Sequence, residues 1–329
     1  MQFFRKYGSM GKQVINFGSV FFTKDGNSDS VVEIISKLDL RPPVIIKPNW
    51  ATSHIFTEME ILDWTLDGIE EEAIVVESYA PYRSKLLVDQ NGIIDSSLEK
   101  KLIAQKKIDY RRNEEWFLKY SGIGRILDKH DVEYLNLTEE IWAGRTCSAD
   151  LIRTEVERRF DPLENEILYS LVPSRLYDMR GGTILSLAKA KTSSGLIGVS
   201  LTLKNMFGMI PGPGRGKFHG KKDCKLNQSI IDINKVYMSL FALRGFVEAV
   251  FSTTRTEDPV NPMIYRNLGY AWGSNHGLEL DAFITAQMGL DPYSVGHLVL
   301  AAEQIYSWHH ETDQLGRLNA INLPKKDII

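Results

Sequence analysis

Two short apolar runs with an amphipathic stretch between them constrain the fold of this chain more than any other feature. Residues 44–46 and 73–76 are rich in β-branched side chains, which is typical of strands buried on both faces of a sheet. Residues 58–69 carry apolar side chains at helical spacing, with acidic residues on the other face. A strand, a helix and a strand with short connections predict a βαβ unit, whose two strands are parallel.

The rest of the chain extends this pattern into an α/β fold. Further strands are predicted at residues 132–137, 167–171, 183–187 and 246–251, and further helices at 31–38, 226–240, 280–288 and 292–308. We therefore predict a mostly parallel sheet flanked by helices, in two lobes with the ligand cleft between them. Residues 1–150 would form an N-terminal α/β lobe and residues 151–329 a C-terminal one, with a joint in the polar residues 138–165.

Basic residues are concentrated in one segment, residues 181–222, which we call the basic segment. It contains seven Lys or Arg residues and no Asp or Glu, whereas the whole chain has 39 basic and 42 acidic residues. Such a local field indicates an anionic ligand. The alternative is a solvated face, but solvated faces usually mix acids with bases. Within the segment, residues 193–206 are predicted as a helix capped by Ser193 or Ser194.

Composition argues against several classes of protein. A net charge of −3 is unlike that of a protein that coats nucleic acid. Cys147 and Cys224 lie far apart without metal-ligand spacing, so we expect no disulfide framework and a reducing cytoplasm. The first residues lack the apolar core of a secretory signal, and no run of roughly 18 apolar residues predicts a membrane span.

The glycine-rich residues 211–217 are predicted to form a loop that grips an anion or closes over it. Aligned with a nucleotide P-loop, Pro211 stands at the first glycine and Phe218 at the final hydroxyl, so a P-loop is rejected. No dinucleotide-binding glycine pattern follows the first strand either. The loop still carries Arg215 and Lys217, and an arginine can hold a carboxylate or phosphate through two hydrogen bonds. A mobile surface loop is the alternative.

Candidate catalytic lysines lie at the ends of predicted strands. Lys47 and Asn49 follow the strand at residues 44–46, at the edge where open parallel sheets bind ligands. Lys191 and Lys204 flank or lie on apolar elements, as does Lys189. A lysine among other cations in an apolar setting has a lowered pKa and can act as a base or nucleophile, whereas a lysine whose ammonium group reaches water cannot.

Histidine and carboxylate residues offer fewer candidates. His219 is the best acid–base candidate, because neighbouring cations favour its neutral imidazole. The group His309, His310, Glu311 and Asp313 suggests a metal, but adjacent residues point to different helix faces, so we predict a surface cluster and no metal site. Asp281 is interpreted as a carboxylate that opens a helix.

Several of these motifs occur together in a known family. They are Lys47-Pro48-Asn49, the stretch TLKNMFG at residues 202–208, a histidine at His219, Asp281-Ala282, and GLDP at residues 289–292. The chain resembles the family catalogued as domain of unknown function 362. The resemblance covers residues 40–305 and implies a site in the basic segment, without naming a reaction.

The sequence departs from this family at two places. Ser193 stands where the family usually has histidine, and Arg244-Gly245 replaces an acidic residue and glycine. Some relatives carry ferredoxin-like cysteine modules, which this chain lacks. These departures favour a divergent substrate and a specialised biosynthetic setting.

The function predicted from these observations is an enzyme that acts on a small anionic metabolite by proton-transfer, lyase or group-transfer chemistry. Four residues are predicted to be catalytic and six to bind substrate. The catalytic residues are Lys47, Lys191, Lys204 and His219; the binding residues are Asn49, Thr202, Asn205, Arg215, Lys217 and Asp281. The cofactor is left open, and a homodimer is not excluded. The alternatives are a redox-associated protein that uses a partner's electron carrier, and a non-catalytic binder of anions or nucleic acid.

Overall fold

The computed structural model describes residues 14–53, 55–81, 83, 108–193, 197–255, 263–266 and 269–306. The α-helices in these ranges are α1 (Ser28–Ser36), α2 (Met59–Asp67), α3 (Tyr110–Tyr120), α4 (Ile123–Lys129), α5 (Leu137–Trp142), α6 (Ala149–Glu157), α7 (Ser174–Asp178), α8 (Thr202–Asn205), α9 (Leu226–Leu240), α10 (Gly277–Gln287) and α11 (Gly296–Gln304). The strands are β1 (Ile15–Phe17), β2 (Val20–Thr23), β3 (Val44–Pro48), β4 (Ala73–Glu77), β5 (Glu133–Asn136), β6 (Thr183–Lys189), β7 (Lys191–Ser193), β8 (Gly198–Ser200), β9 (Ala242–Ala249), β10 (Ser252–Arg255), β11 (Met263–Arg266) and β12 (Tyr270–Ser274).

One eight-stranded sheet organises the protein, in the order β1-β2-β12-β9-β6-β3-β4-β5. The five strands from β9 to β5 are mutually parallel, and β12, β2 and β1 are added antiparallel. The hairpins β7–β8 and β10–β11 stand apart from this sheet. The prediction of a mostly parallel α/β fold is confirmed.

The central strands are apolar on both faces because helices cover both. Along β3, Ile45 packs into one core, whereas Val44 and Ile46 pack into the other. Helices α1 and α2 contribute to the core shared by Val44 and Ile46, and α9 contributes to the core of Ile45. This two-sided burial explains why β3 reads as a continuous apolar run.

Strands from both halves of the chain share the sheet. β3, β4 and β5 precede residue 150, while β6, β9 and β12 follow it. Residues 138–165, predicted as a joint, contain most of α5 and all of α6, and α6 buries Ile152 and Val156 in the core. The division at residue 150 and the cleft between two lobes stay predictions.

Some predicted elements are wrong. Residues 167–171 are not a strand, because Glu166–Ser170 forms a 3-10 helix that buries Leu168 and Tyr169. Helix α1 begins at Ser28, before the predicted start at residue 31, and is capped by Asn27, with Ser30 completing a capping box.

The largest error lies in the basic segment. In the described part of the predicted helix at residues 193–206, Ser193 ends β7, residues 198–200 form β8 antiparallel to it, and the single turn α8 follows. Gly198 has a φ of +71°, a left-handed conformation that interrupts a helix and suits a turn into β8. The apolar residues that suggested a helical stripe, Val199 and Leu203, are nevertheless buried in the core. The predicted loop at residues 211–217 leads into a short 3-10 helix, Arg215–His219.

Candidate functional site

The carboxyl ends of the parallel strands bring charged residues to one edge of the sheet. Lys47 ends β3 with Pro48, Glu77 ends β4, and Lys189 ends β6 opposite Glu248 of β9. All four side chains are buried. Buried charges persist only where partners compensate them, so these contacts define the chemistry of the edge.

Lys47 is held in a buried ion pair with Glu77. Its Nζ lies 2.8 Å from Glu77 Oε2 and donates to the Pro48 carbonyl at 2.6 Å. The Glu77 carboxylate also accepts from the backbone N–H groups of Trp50 and Ser78. Burial lowers the pKa of Lys47, and the Glu77 charge opposes this effect. These contacts hold the Lys47 amine in one position against Glu77.

The two motifs that are distant in sequence meet directly. Asn205 Nδ2 donates to the Lys47 carbonyl at 2.9 Å and to Ser186 Oγ at 3.1 Å. Ser186 Oγ in turn donates to the carbonyl of Thr202. The Asn205 side chain was predicted to bind substrate. Its amide group instead donates these two hydrogen bonds within the protein, and they join α8 to β3 and β6.

Lys191 and Asn49 make the second link between the motifs. Lys191 Nζ donates to Asn49 Oδ1 at 3.1 Å, and no ion pair to Lys191 occurs among the described residues. Burial, together with the charges of Lys204, Lys189 and Lys47, lowers the pKa of Lys191 to about 7. An amine with this pKa is a base at neutral pH.

Lys204 and Arg215 extend this group of cations. Burial lowers the pKa of Lys204, on α8, to about 8, and Asp223 opposes the shift. Burial also lowers the pKa of Arg215 to about 10, with Glu77 opposing. We call Lys47, Asn49, Lys191, Lys204 and Arg215 the cationic site.

Hydrogen bonds hold the Arg215 side chain against Ser78 and the backbone of residues 208–210. Its Nε donates to the Ile210 carbonyl at 2.8 Å, and its Nη2 contacts the Gly208 carbonyl at 3.2 Å and Ser78 Oγ. The glycine at 208 is required here, because a Cβ at that position would lie 2.6 Å from Lys47 Nζ. The guanidinium therefore lies beside the Lys47–Glu77 pair, and its positive charge acts to lower the pKa of both groups.

Lys217 and His219 lie further out on the same 3-10 helix. Lys217 is exposed, with its Nζ 5.1 Å from the centroid of the Phe218 ring. His219 Nδ1 lies 2.8 Å from Asp223 Oδ1, and its ring packs edge-on against Phe207. In the described chain no hydrogen bond or ion pair joins either side chain to the cationic site. Their roles in binding and acid–base catalysis stay predictions.

Asp281 has a different position from the one predicted. Helix α10 is capped by His276, and Asp281 is buried inside that helix. Its two carboxylate oxygens accept from the backbone N–H groups of Thr202 and Leu203, at 2.9 and 2.8 Å. Burial raises the pKa of Asp281 to about 7, while these hydrogen bonds oppose the shift. Asp281 thus caps α8 from a neighbouring helix, and buried Thr202 is part of that junction.

The structure corrects the prediction for Lys189 and adds His297, which the sequence patterns did not indicate. Lys189, predicted to have a lowered pKa, instead has a raised one, because the charges of Glu248 and Glu58 outweigh the effect of burial. His297, on α11, is buried, and its burial together with the positive charge of Lys204 lowers its pKa to about 3. Within the described part of the chain, neither ring nitrogen of His297 has a hydrogen-bond partner. Only tertiary contacts reveal these neighbours.

No metal site was predicted; among the described residues, one group has residue types that could bind a metal ion. Ligand atoms of Asp63, Asp67 and His130 lie within 4.8 Å of one another. Lys129 Nζ, however, lies 2.6 Å from Asp63 Oδ1, so an ammonium group already pairs with one of the two carboxylates. The cluster at His309 to Asp313 lies outside the described residues.

Across the described ranges, none of the helices combines the length and apolar character needed to cross a membrane.

Comparisons with known proteins give a family and no close relative. Neither the curated proteins nor the solved structures contain a match to this chain. Residues 44–286, which include the cationic site, match the family described as "Domain of unknown function (DUF362)". The match covers more than half of the chain, so the protein belongs to the DUF362 family.

Proposed function

We propose that the protein is an enzyme that binds a small metabolite bearing a carboxylate or phosphate at the cationic site and uses the Lys191 amine as its base. One observation carries the proposal: the pKa of Lys191 is lowered to about 7, and Asn49 holds its amine at the carboxyl edge of the sheet. About half of the Lys191 side chains are then neutral at pH 7, which is the best compromise between availability and strength for a general base.

Lys204 and Arg215 supply the positive charge in this proposal. When the Lys191 amine removes a proton from the substrate, negative charge develops on the substrate. Cations fixed nearby and partly shielded from water stabilise that charge without having to reorganise. Lys204 lies within the electrostatic reach of Lys191, and Arg215 within that of Lys47. This division of roles suits proton transfer, elimination of a leaving group, or group transfer.

Other predicted residues take supporting roles. The Lys47–Glu77 pair, Asn205 and Asp281 hold β3, β6 and α8 in register, since their polar atoms are engaged by the protein itself. We keep Lys217 and His219 as residues that contact the outer part of the ligand. A specialised biosynthetic pathway remains the setting that we propose.

The first experiment is native mass spectrometry of freshly purified protein, to find a co-purified anion. In parallel, thermal stabilisation by inorganic phosphate and by citrate is compared in the wild type, Lys204→Met and Arg215→Met, with the exposed Lys119→Met as the matched control. We expect stabilisation in the wild type and the control and its loss in the two site variants, because a ligand that binds the folded state stabilises it by mass action.

Three results would refute the proposal. Equal stabilisation of all variants would place the anion elsewhere. Bound flavin or a visible spectrum would support a redox-associated protein. A polynucleotide that binds far more tightly than phosphate, with a steep salt dependence, would support nucleic-acid binding.

A further inference from the structure

Three aromatic side chains meet beyond the carboxyl ends of β4 and β5. Tyr79 follows β4, Trp142 ends α5, which begins directly after β5, and Tyr110 begins α3. The ring centroid of Tyr79 lies 5.4 Å from that of Trp142 and 5.9 Å from that of Tyr110. We call these three residues the aromatic cluster. Because open parallel sheets bind ligands at the carboxyl edge, the cluster lies where a ligand is expected.

The aromatic cluster begins where the cationic site ends. Ser78, the residue before Tyr79, contacts the Arg215 guanidinium through its Oγ. The chain at Gly212 packs directly against Tyr79, since a Cβ at Gly212 would collide with the Tyr79 carbonyl oxygen. The glycine-rich stretch that carries Arg215 is therefore in contact with the backbone of the cluster. A single ligand can place an anionic group at Arg215 and another part against the rings.

Trp142 is the accessible member of the cluster. It is 49% exposed, whereas Tyr79 is buried and Tyr110 is half-buried. Half of a tryptophan side chain leaves on the order of 100 Å² open to solvent. That area suits one ring of a small ligand and is far below the roughly 800 Å² per partner of a stable protein–protein interface. The exposed indole therefore fits a ligand ring better than a partner protein.

One carboxylate holds the aromatic cluster in place. Glu139 Oε1 accepts from the Tyr79 hydroxyl at 2.6 Å, and the Glu139 carboxylate accepts from Arg111 Nε and Nη2 at 2.7 and 2.8 Å. The Arg111 guanidinium carbon in turn lies 5.8 Å from the centroid of the Trp142 ring. The Tyr79 N–H donates to Thr138 Oγ1 at 3.0 Å, which ties the cluster to the start of α5. Rings that are fixed in advance lose little entropy when a ligand stacks on them.

Another exposed aromatic pair lies outside this site. Tyr120 is 52% exposed, and its ring stacks on that of Trp116 with the centroids 4.7 Å apart. Both residues belong to α3, and in the part of the chain that the structure describes no hydrogen bond or ion pair joins them to the cationic site. Exposed stacked rings alone thus do not mark a ligand site. What distinguishes the aromatic cluster is its continuity with Arg215, and the Trp116–Tyr120 pair supplies a matched control.

We propose that the aromatic cluster is a second subsite, which binds an aromatic or heteroaromatic ring of the ligand whose anionic group lies at the cationic site. This inference rests on the proposed function and narrows its substrate class to phosphates and carboxylates that carry such a ring. Stacking of one ring on an aromatic side chain strengthens binding by about fivefold to a hundredfold.

The test compares two pairs of probes that share an anionic group and differ in a ring. Calorimetry measures the binding of AMP and ribose 5-phosphate, and of phenyl phosphate and inorganic phosphate, to the whole protein. The variants are Trp142→Ala, which removes the exposed ring, Trp142→Phe, which keeps a smaller one, and Tyr120→Ala as the control outside the cluster.

We expect the wild type to bind the ring-bearing member of at least one pair about fivefold to a hundredfold more tightly than the member without a ring. Trp142→Ala should reduce this ratio to nearly one and leave the affinity for ribose 5-phosphate and inorganic phosphate unchanged, because those probes contact the cationic site alone. Trp142→Phe should restore most of the preference, and Tyr120→Ala should keep all of it.

Two outcomes would overturn the inference: a wild type without preference for the ring in either pair, or a preference that Trp142→Ala leaves intact. The first outcome needs no variant, so it decides the question even if Trp142→Ala fails to fold. Self-association that Trp142→Ala abolishes in sedimentation velocity, with the ring preference unchanged, would assign the rings to a contact between copies of the chain.

Failure of the proposed function has a different signature. Phosphate binding that is absent, or that Lys204→Met leaves unchanged, would refute the anion site and still allow the ring preference to be measured with AMP. Phosphate binding that depends on Lys204, without any preference for a ring, would refute the aromatic subsite alone.

Discussion

Replacing Lys191 with methionine should stabilise the protein near neutral pH, although Lys191 is the residue that we propose as its base. Burial and nearby cations lower the pKa of Lys191 from 10.5 to about 7. One pKa unit corresponds to about 1.4 kcal/mol, so the charged side chain destabilises the folded state by at most about 5 kcal/mol. Methionine has a similar length and no charge.

The observable effect will be smaller than this limit. Lys191 is only half-buried, so water screens its charge, and we expect about 2 kcal/mol. The variant also leaves Asn49 Oδ1 without its donor, which costs about 1 kcal/mol. We therefore expect Lys191→Met to be more stable than the wild type by about 1 kcal/mol below pH 7.

The direction of the pH dependence follows from the two pKa values. The folded-state pKa of Lys191, about 7, lies below the ordinary lysine value of 10.5, which we take for the unfolded chain. The unfolded chain therefore binds more protons between these values, and the contribution of Lys191 to wild-type stability rises with pH across that window. The advantage of Lys191→Met is complete below pH 7 and shrinks from pH 7 to 9.

Urea unfolding at pH 6, 7, 8 and 9 measures this difference, with Lys119→Met as a control whose difference from the wild type should stay flat. A Lys191→Met protein that is less stable than the wild type at pH 6, or a difference that does not change with pH, would refute the lowered pKa of Lys191 and the base role built on it.

Three further predictions follow from the contacts of the site. Gly208→Ala should destabilise the protein by roughly 2–4 kcal/mol in urea unfolding, because its Cβ would displace the buried Lys47–Glu77 pair. The control is Gly216→Ala, which should change stability little because its Cβ meets open space. Asp281→Ala should lower the free energy of unfolding by about 1–3 kcal/mol, because the N–H groups of Thr202 and Leu203 lose their acceptor; an unchanged value would contradict the cap. Phosphate affinity, measured by calorimetry, should fall up to about tenfold per pH unit above pH 8 as Lys204 loses its proton, and Lys204→Met should remove that dependence.

The sequence sufficed to predict the parallel core of the fold. β3, α2 and β4 were recognisable because strands buried on both faces must be continuously apolar, and an amphipathic helix must repeat at helical spacing. Residues 193–206 were mispredicted because their buried side chains also fit helical spacing. What excludes a helix there is the left-handed backbone at Gly198, and a single glycine in a sequence does not reveal its φ.

The site was only partly predictable for a related reason. The proximity of Lys47, Asn49 and Lys191 could be predicted because strand ends of a parallel sheet meet at one edge, and their roles stay predictions. Glu58 and His297 were missed because the residues that act on them lie on other elements, far away along the chain. Lys189 pairs with Glu58, and the charge of Lys204 acts on His297. Asp281 was misplaced because a carboxylate can cap a helix from outside it, as Asp281 does for α8.

Lys191 is proposed to lose its proton near neutral pH inside an anion-binding site, and the pH titration of its side chain tests this most directly. ¹⁵N-lysine NMR of the wild type, with the signal assigned by Lys191→Met, should give a midpoint near pH 7 without anion and a higher midpoint with phosphate or citrate. A midpoint near 10.5, or one that neither anion moves, would contradict the account.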